Sequence, residues 1–99
     1  MIKMDNINPI IHQPTRLQIL TLVHMDKSIS FSTLKKELWL SDGNLGMHLE
    51  KLESAGYISI EKSFVEKKPL STIRIEKKWE MELLGYMNAL ERIFKTLKK

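Results

Sequence analysis

Leu45, Leu49 and Leu52 recur at helical spacing, while Gly43, Asn44, Met47, Glu50, Lys51 and Ser54 fall on other sides. The pattern predicts a helix from Ser41 to Ala55 with one narrow apolar stripe. Ser41 is placed to accept a first-turn N–H and Asp42 to meet the positive end of the helix dipole. Gly56 suits a left-handed stop, with Tyr57 folding back on Leu52. Upstream, Ser32 caps a short helix through Leu38, with Leu34 and Leu38 inside and Lys35 and Lys36 outside. Trp39, Leu40 and Ser41 then form a tight turn, so the two helices cross steeply as a helix-turn-helix.

The flanks follow other periods. Ile7 to His12 is an apolar helical turn and lid, and Pro14 opens a helix to about Met25. Leu17, Ile19, Leu20, Leu22 and Val23 spread around that helix, which implies cover on more than one side. Ile29 to Phe31 reads as a very short strand. After Gly56 the period becomes 2: Ile58 and Ile60 alternate with polar residues, as do Ser71 to Glu76, giving a hairpin. The connection, Phe64 to Leu70, reads as a loop too long for a two-residue turn. Last, Trp79, Leu83, Tyr86, Leu90, Ile93 and Leu97 follow alternating 4,3 spacing, with Leu84, Met87 and Phe94 widening the stripe. A symmetric dimer through this helix, touching the mate's first helix, would cover it; packing on its own first helix is the other reading.

These elements make a mainly α fold with a small β-hairpin: a winged helix-turn-helix over 1–78 and a long C-terminal dimerisation helix over 79–99, in one compact domain. At 99 residues, one domain is expected. Cysteine is absent, so there is no disulfide framework and no thiolate ligand or nucleophile. The first residues lack a signal-peptide pattern, and no stretch has the length of a membrane span, so a cytoplasmic protein without a membrane partner is expected. His12, His24 and His48 lack metal-site spacing, and no phosphate loop, carboxylate pair or activated serine is present; neither enzyme, cofactor nor metal is expected.

Charge sharpens the picture. Of the formal net charge of +4, the segment from Gly56 to Lys78 carries six basic residues against three acidic. The hairpin is therefore the basic element. Ser32 to Ala55 holds three basic residues against four acidic, so phosphate attraction must come from the hairpin, Arg16 and the helix N-termini.

The runs His12 to Leu20, Leu40 to Ile58 and Phe64 to Pro69 resemble small winged-helix transcriptional regulators related to the MarR and ArsR groups, over roughly Ile7 to Leu90. The most specific motif is Ser-Asp-Gly-Asn-Leu followed by His-Leu and Leu-Glu-Ser-Ala-Gly-Tyr. The resemblance implies a homodimer that reads double-stranded DNA, the Ser41–Ala55 helix in the major groove and the wing on the backbone or minor groove. It places Asn44, Met47, His48 and Lys51 at bases or phosphates and Lys67 and Lys68 at the wing tip; Lys62 and Arg74 are added as phosphate contacts. Leu83, Tyr86, Leu90, Ile93 and Leu97 form the expected dimer seam. Two positions depart from the pattern: Gly46 stands where relatives often carry a small hydroxyl residue, and Trp39 where they often carry glycine. Gly43 and Gly46 either let a partner approach or serve a capping turn and a neighbouring helix. The competing function is a protein-protein interaction module, for which Trp39 and Met47 would form the apolar patch.

Overall fold

The structure, a computed structural model, describes residues 7–99. It contains α1 (Pro14–Asp26), β1 (Ser28–Ser30), α2 (Phe31–Leu38), α3 (Asp42–Ser54), β2 (Ile58–Val65), β3 (Lys68–Ile75) and α4 (Lys77–Leu97). This is the expected winged-helix order. The sheet is antiparallel in the order β1-β3-β2, with Ile29 opposite Ile73 and Ile60 opposite the same residue on the other side.

Caps and turns fix the element ends. Pro14 stands at the start of α1, where Gln13 accepts from Arg16 N–H at 2.7 Å. The cap of α2 is Ser30, which accepts from Thr33 N–H at 3.1 Å; the strand therefore closes at Ser30 and Phe31 is already helical, two residues earlier than the Ser32 cap expected. Between β2 and β3 the chain reverses through Glu66 and Lys67 alone, both at positive φ (52° and 68°), with Val65 paired to Lys68. The expected long loop is instead a two-residue turn of the kind that matches strand twist. Its usual Asn-Gly signal is missing, and each non-glycine residue there costs roughly 1–2 kcal/mol. Continuous strand pairing offsets that cost.

The core lies where α1, α2, α3, the sheet and the start of α4 meet. Ile19, Leu20, Val23, Leu34, Leu45, Leu49, Leu52, Ile58, Ile73 and Trp79 are buried there. The 7–13 segment closes one end: Ile7 and Ile11 are buried, Asn8 Oδ1 accepts from Ile10 N–H, and Asn8 Nδ2 donates to the Tyr57 hydroxyl at 2.7 Å. The lid expected from Ile7 to His12 is thus built.

The α4 helix uses part of its apolar stripe within its own subunit. Trp79 and Tyr86 are buried within their own subunit: Trp79 Nε1 donates to His24 Nδ1 at 3.0 Å, and the Tyr86 hydroxyl lies 3.0 Å from His12 Nδ1. The first contact reaches the last turns of α1, the second the 7–13 segment that precedes it. Leu83, Leu90 and Ile93 are half-buried against the same core, and of the five seam residues Leu97 alone is exposed. What stays open is the stripe's border, Leu84, Met87 and Phe94, together with Met81 and Leu97. The first six positions of the expected 1–78 unit lie outside the described residues, and α4 begins at Lys77, close to the expected division.

Candidate nucleic-acid interface

The α3 helix is seated from one side. Leu45, Leu49 and Leu52 are buried, contributing roughly 1.5–3 kcal/mol each. Ser41 Oγ accepts from Asn44 N–H at 3.1 Å, so the first turn is capped as expected. At the far end Gly56 takes φ +85°, Tyr57 N–H reaches the Leu52 carbonyl at 3.1 Å and Gly56 N–H the Glu53 carbonyl at 2.9 Å. This is the expected left-handed stop with both bonds formed. Lys78 adds a third, donating from Nζ to the Ala55 carbonyl at 2.7 Å while lying 5.5 Å from the Tyr57 ring centroid.

A buried polar pair completes the seat. Arg16 Nη1 lies 3.2 Å from His48 Nδ1, and Arg16 Nε donates to the Ile10 carbonyl at 2.7 Å. Arginine has no acceptor, so His48 Nδ1 must accept and the ring is neutral with its proton on Nε2. Burial, then the Arg16 charge, then Lys51 hold the His48 pKa below its ordinary value of 6.5. The pair ties α3 to α1 and, through Ile10, to the 7–13 segment. Two expectations change. His48 is 6% exposed and turned inward, not toward a groove; Arg16, at 8%, is a buried support of α3 rather than a free phosphate contact. In the sequence the pair shows only as Arg16, which with Gln18 is one of the main polar residues of a largely apolar helix.

The other side of α3 is open. Asn44, Met47 and Lys51 are exposed and, at spacings of three and four, share one face. Gly43 lies beside them and Gly46 on the flank; a Cβ added at either would meet nothing within 4 Å. The neighbouring-helix explanation for Gly46 is therefore ruled out. A groove of about 520 Å³ follows this face, lined by Met47, Glu50, Lys51 and Ser54 of α3, Ala55, and Ile10 and Arg16 opposite. At the helix start, Asp42 pairs with Lys35 of α2 at 2.8 Å, which cancels a charge that would repel phosphate. Between those two lies Trp39, in the left-handed conformation (φ 56°, ψ 43°) and 93% exposed.

The wing presents its lysines in two directions. Lys67 occupies the turn and Lys68 opens β3, both exposed. By alternation, Lys62 falls on the hairpin face that carries Ile58 and Ile60 lower down, while Lys68 and Arg74 fall on the opposite face. Arg74 sits at the hairpin base, 3.7 Å from Glu61. Lys67 and Lys68 are thus brought together at the tip, and Lys62 and Arg74 are not brought to them. Among the described residues no cluster of three metal-ligating side chains occurs, and no helix is long and apolar enough to cross a membrane.

A winged helix DNA-binding domain family matches residues 15–94. An uncharacterized protein of Methanocaldococcus jannaschii is 31% identical over 88 residues, which is 89% of this chain and 96% of that protein. A transcriptional regulator homologue from Pyrococcus horikoshii superposes with a TM-score of 0.81 at 26% identity, over 91% of this chain and 89% of that one. A MepR-like protein solved with pseudoligands has a TM-score of 0.70 at 17% identity, over 87% of this chain and 61% of that one, a likeness of fold alone.

Proposed function

As this chain belongs to the winged helix DNA-binding domain family, we propose that it is a cytoplasmic transcriptional regulator that reads double-stranded DNA as a homodimer, with α3 in the major groove. The observation that carries this reading is the open face of α3, where Asn44, Met47 and Lys51 stand in a row beside two glycines that nothing in the chain fills. Asn44 supplies the paired donor and acceptor that match adenine N6 and N7, and Met47 an apolar surface for a thymine methyl. Lys51, Lys67 and Lys68 meet phosphates; Lys62 and Arg74 are secondary contacts, Arg74 sharing its charge with Glu61. His48 acts at one remove, by fixing α3 on Arg16. The reading involves no chemistry and needs no cofactor.

The dimer completes it. Leu84, Met87, Phe94 and Leu97 on α4 leave an apolar border that a second copy of the same helix would cover, with half-buried Leu83, Leu90 and Ile93 beneath. Two α3 helices would then meet half-sites about one DNA turn, roughly 34 Å, apart. The paired change Leu84→Glu and Phe94→Glu is expected to halve the mass in solution while leaving the fold intact; an unchanged dimer mass removes α4 from the interface.

The test is selection of fragments from the source genome at two salt concentrations. Recovery of a shared inverted repeat, with affinity falling steeply as salt rises, supports the reading. Lys67→Ala with Lys68→Ala should flatten the salt dependence by about 0.9 log units of slope for each phosphate left without its lysine. The exposure of Trp39 and Met47 favours a protein partner as the second reading, and a folded dimer that enriches no fragment at low salt would turn the choice to it.

A further inference from the structure

Trp39 combines a left-handed backbone with an almost wholly exposed side chain. It ends α2 at a position that asks for glycine: its φ is +56°, its N–H and that of Leu40 both return to the Lys35 carbonyl, and the indole is 93% exposed. Glycine would close the same turn without a strained Cβ. The indole gains no packing in exchange. Its neighbours Leu38 and Leu40 are half-buried against the core, whereas Glu37, Ser41 and Asp42 are exposed, so Trp39 is a single exposed aromatic in a turn flanked by polar residues. Met47 lies about a turn and a half further along α3.

We propose that Trp39 is a DNA-contacting residue, its indole packed against deoxyribose and a thymine methyl at the mouth of the major groove entered by α3. The proposal rests on the DNA-reading function above. Its geometry follows from chain order: the N-terminal residues of a reading helix meet base edges, so the turn two residues earlier lies at the groove wall. Three features fit this partner. The Lys35–Asp42 pair neutralises the carboxylate nearest that wall. The open surface at Gly43 lets the α3 backbone come close enough for the turn to touch. A flat apolar ring suits deoxyribose, which every sequence offers, and the exposed polar residues flanking Trp39, Glu37, Ser41 and Asp42, suit a hydrated partner.

The structure supplies its own probe. Trp79 is buried and hydrogen-bonded, so the long-wavelength edge of the emission belongs to Trp39. Labelled duplexes from the genomic fragment pool are titrated at low salt, with DNA anisotropy and tryptophan emission recorded together. Quenching of the long-wavelength edge with the same midpoint as the anisotropy change is expected, and its loss in Trp39→Phe. Trp39→Gly should bind about tenfold more weakly. Its salt slope should not change, because every phosphate keeps its lysine, and its thermal midpoint should be equal or higher. Trp39→Phe should recover most of the affinity. Fragments that bind while the emission stays constant, or a Trp39→Gly protein that binds like the parent, would overturn the proposal and leave the DNA reading standing. Weak binding with a lowered thermal midpoint would also overturn it, assigning the loss to folding. Absence of any anisotropy change with the parent protein would overturn both.

Discussion

The two sides of α3 differ in who benefits from their residues. On the inner side each departure from a plain helix is answered within the chain: buried Arg16 and His48 satisfy each other, and Gly56 takes a positive φ and closes two bonds. Among the described residues no buried side-chain nitrogen or oxygen lacks a partner. On the outer side, Gly43 and Gly46 weaken the helix by up to about 1 kcal/mol each, and no neighbour comes close enough to need their smallness. Trp39 adds a left-handed backbone and a solvated ring. Stability thus rests on the inner face of α3 and the proposed recognition on the outer, so the two should be separable by mutation.

The largest effect is expected from Arg16→Leu on the inner side. Removing the guanidinium leaves the Ile10 carbonyl and His48 Nδ1 without their donor, and a loss of about 2–4 kcal/mol is expected in urea unfolding. A change below about 1 kcal/mol would mean that the inner side does not depend on the pair. Gly56→Ala comes next. Its Cβ would approach Lys78 Cδ to 3.2 Å, which that flexible chain can relieve, so the cost is mainly the left-handed backbone, about 1–2 kcal/mol. For a domain of this size each kcal/mol should lower the thermal midpoint by roughly 4–8 °C.

Acid should act on the same side. His48 binds its proton less readily when folded than when unfolded, so the unfolded chain takes up more protons and stability falls as pH drops. The loss begins as pH approaches the ordinary histidine value of 6.5 from above and is complete once the lowered folded pKa has been passed. His48→Gln, which keeps an acceptor for Arg16 but does not titrate, should flatten this part of the profile. A profile unchanged by the substitution would assign the acid sensitivity to other groups. The smallest effect lies outside: Gly46→Ala should raise stability by up to about 1 kcal/mol while weakening DNA binding. A protein both more stable and undiminished in binding would show that the open flank is not used.

Much of this arrangement was legible because it is local. Ser41, Gly56 and Pro14 mark helix ends through their own backbone chemistry, and Leu45, Leu49 and Leu52 declare the inner face of α3 by spacing alone. His48 was not legible in the same way. It lies on the border between the leucine stripe and the Asn44 face, and its direction is decided by Arg16, 32 positions earlier in the chain. The α4 stripe was visible, yet a 4,3 spacing is the same whether it covers α1 of its own subunit or a mate's helix. The wing turn was hidden for the opposite reason, since Glu66 and Lys67 carry none of the usual turn residues.

The three residues of β1 govern how the domain assembles. By pairing Ser28 with Arg74 and Ser30 with Thr72, this short strand closes a loop of about 44 residues, a chain-entropy cost of roughly 3 kcal/mol. That loop contains α2, α3 and the first strand of the wing. Hairpin and helix-turn-helix involve nearby residues and are expected to form early, whereas β1 docks onto β3 late. The smallest element of the fold is therefore the clasp that binds α3 and the wing into one body.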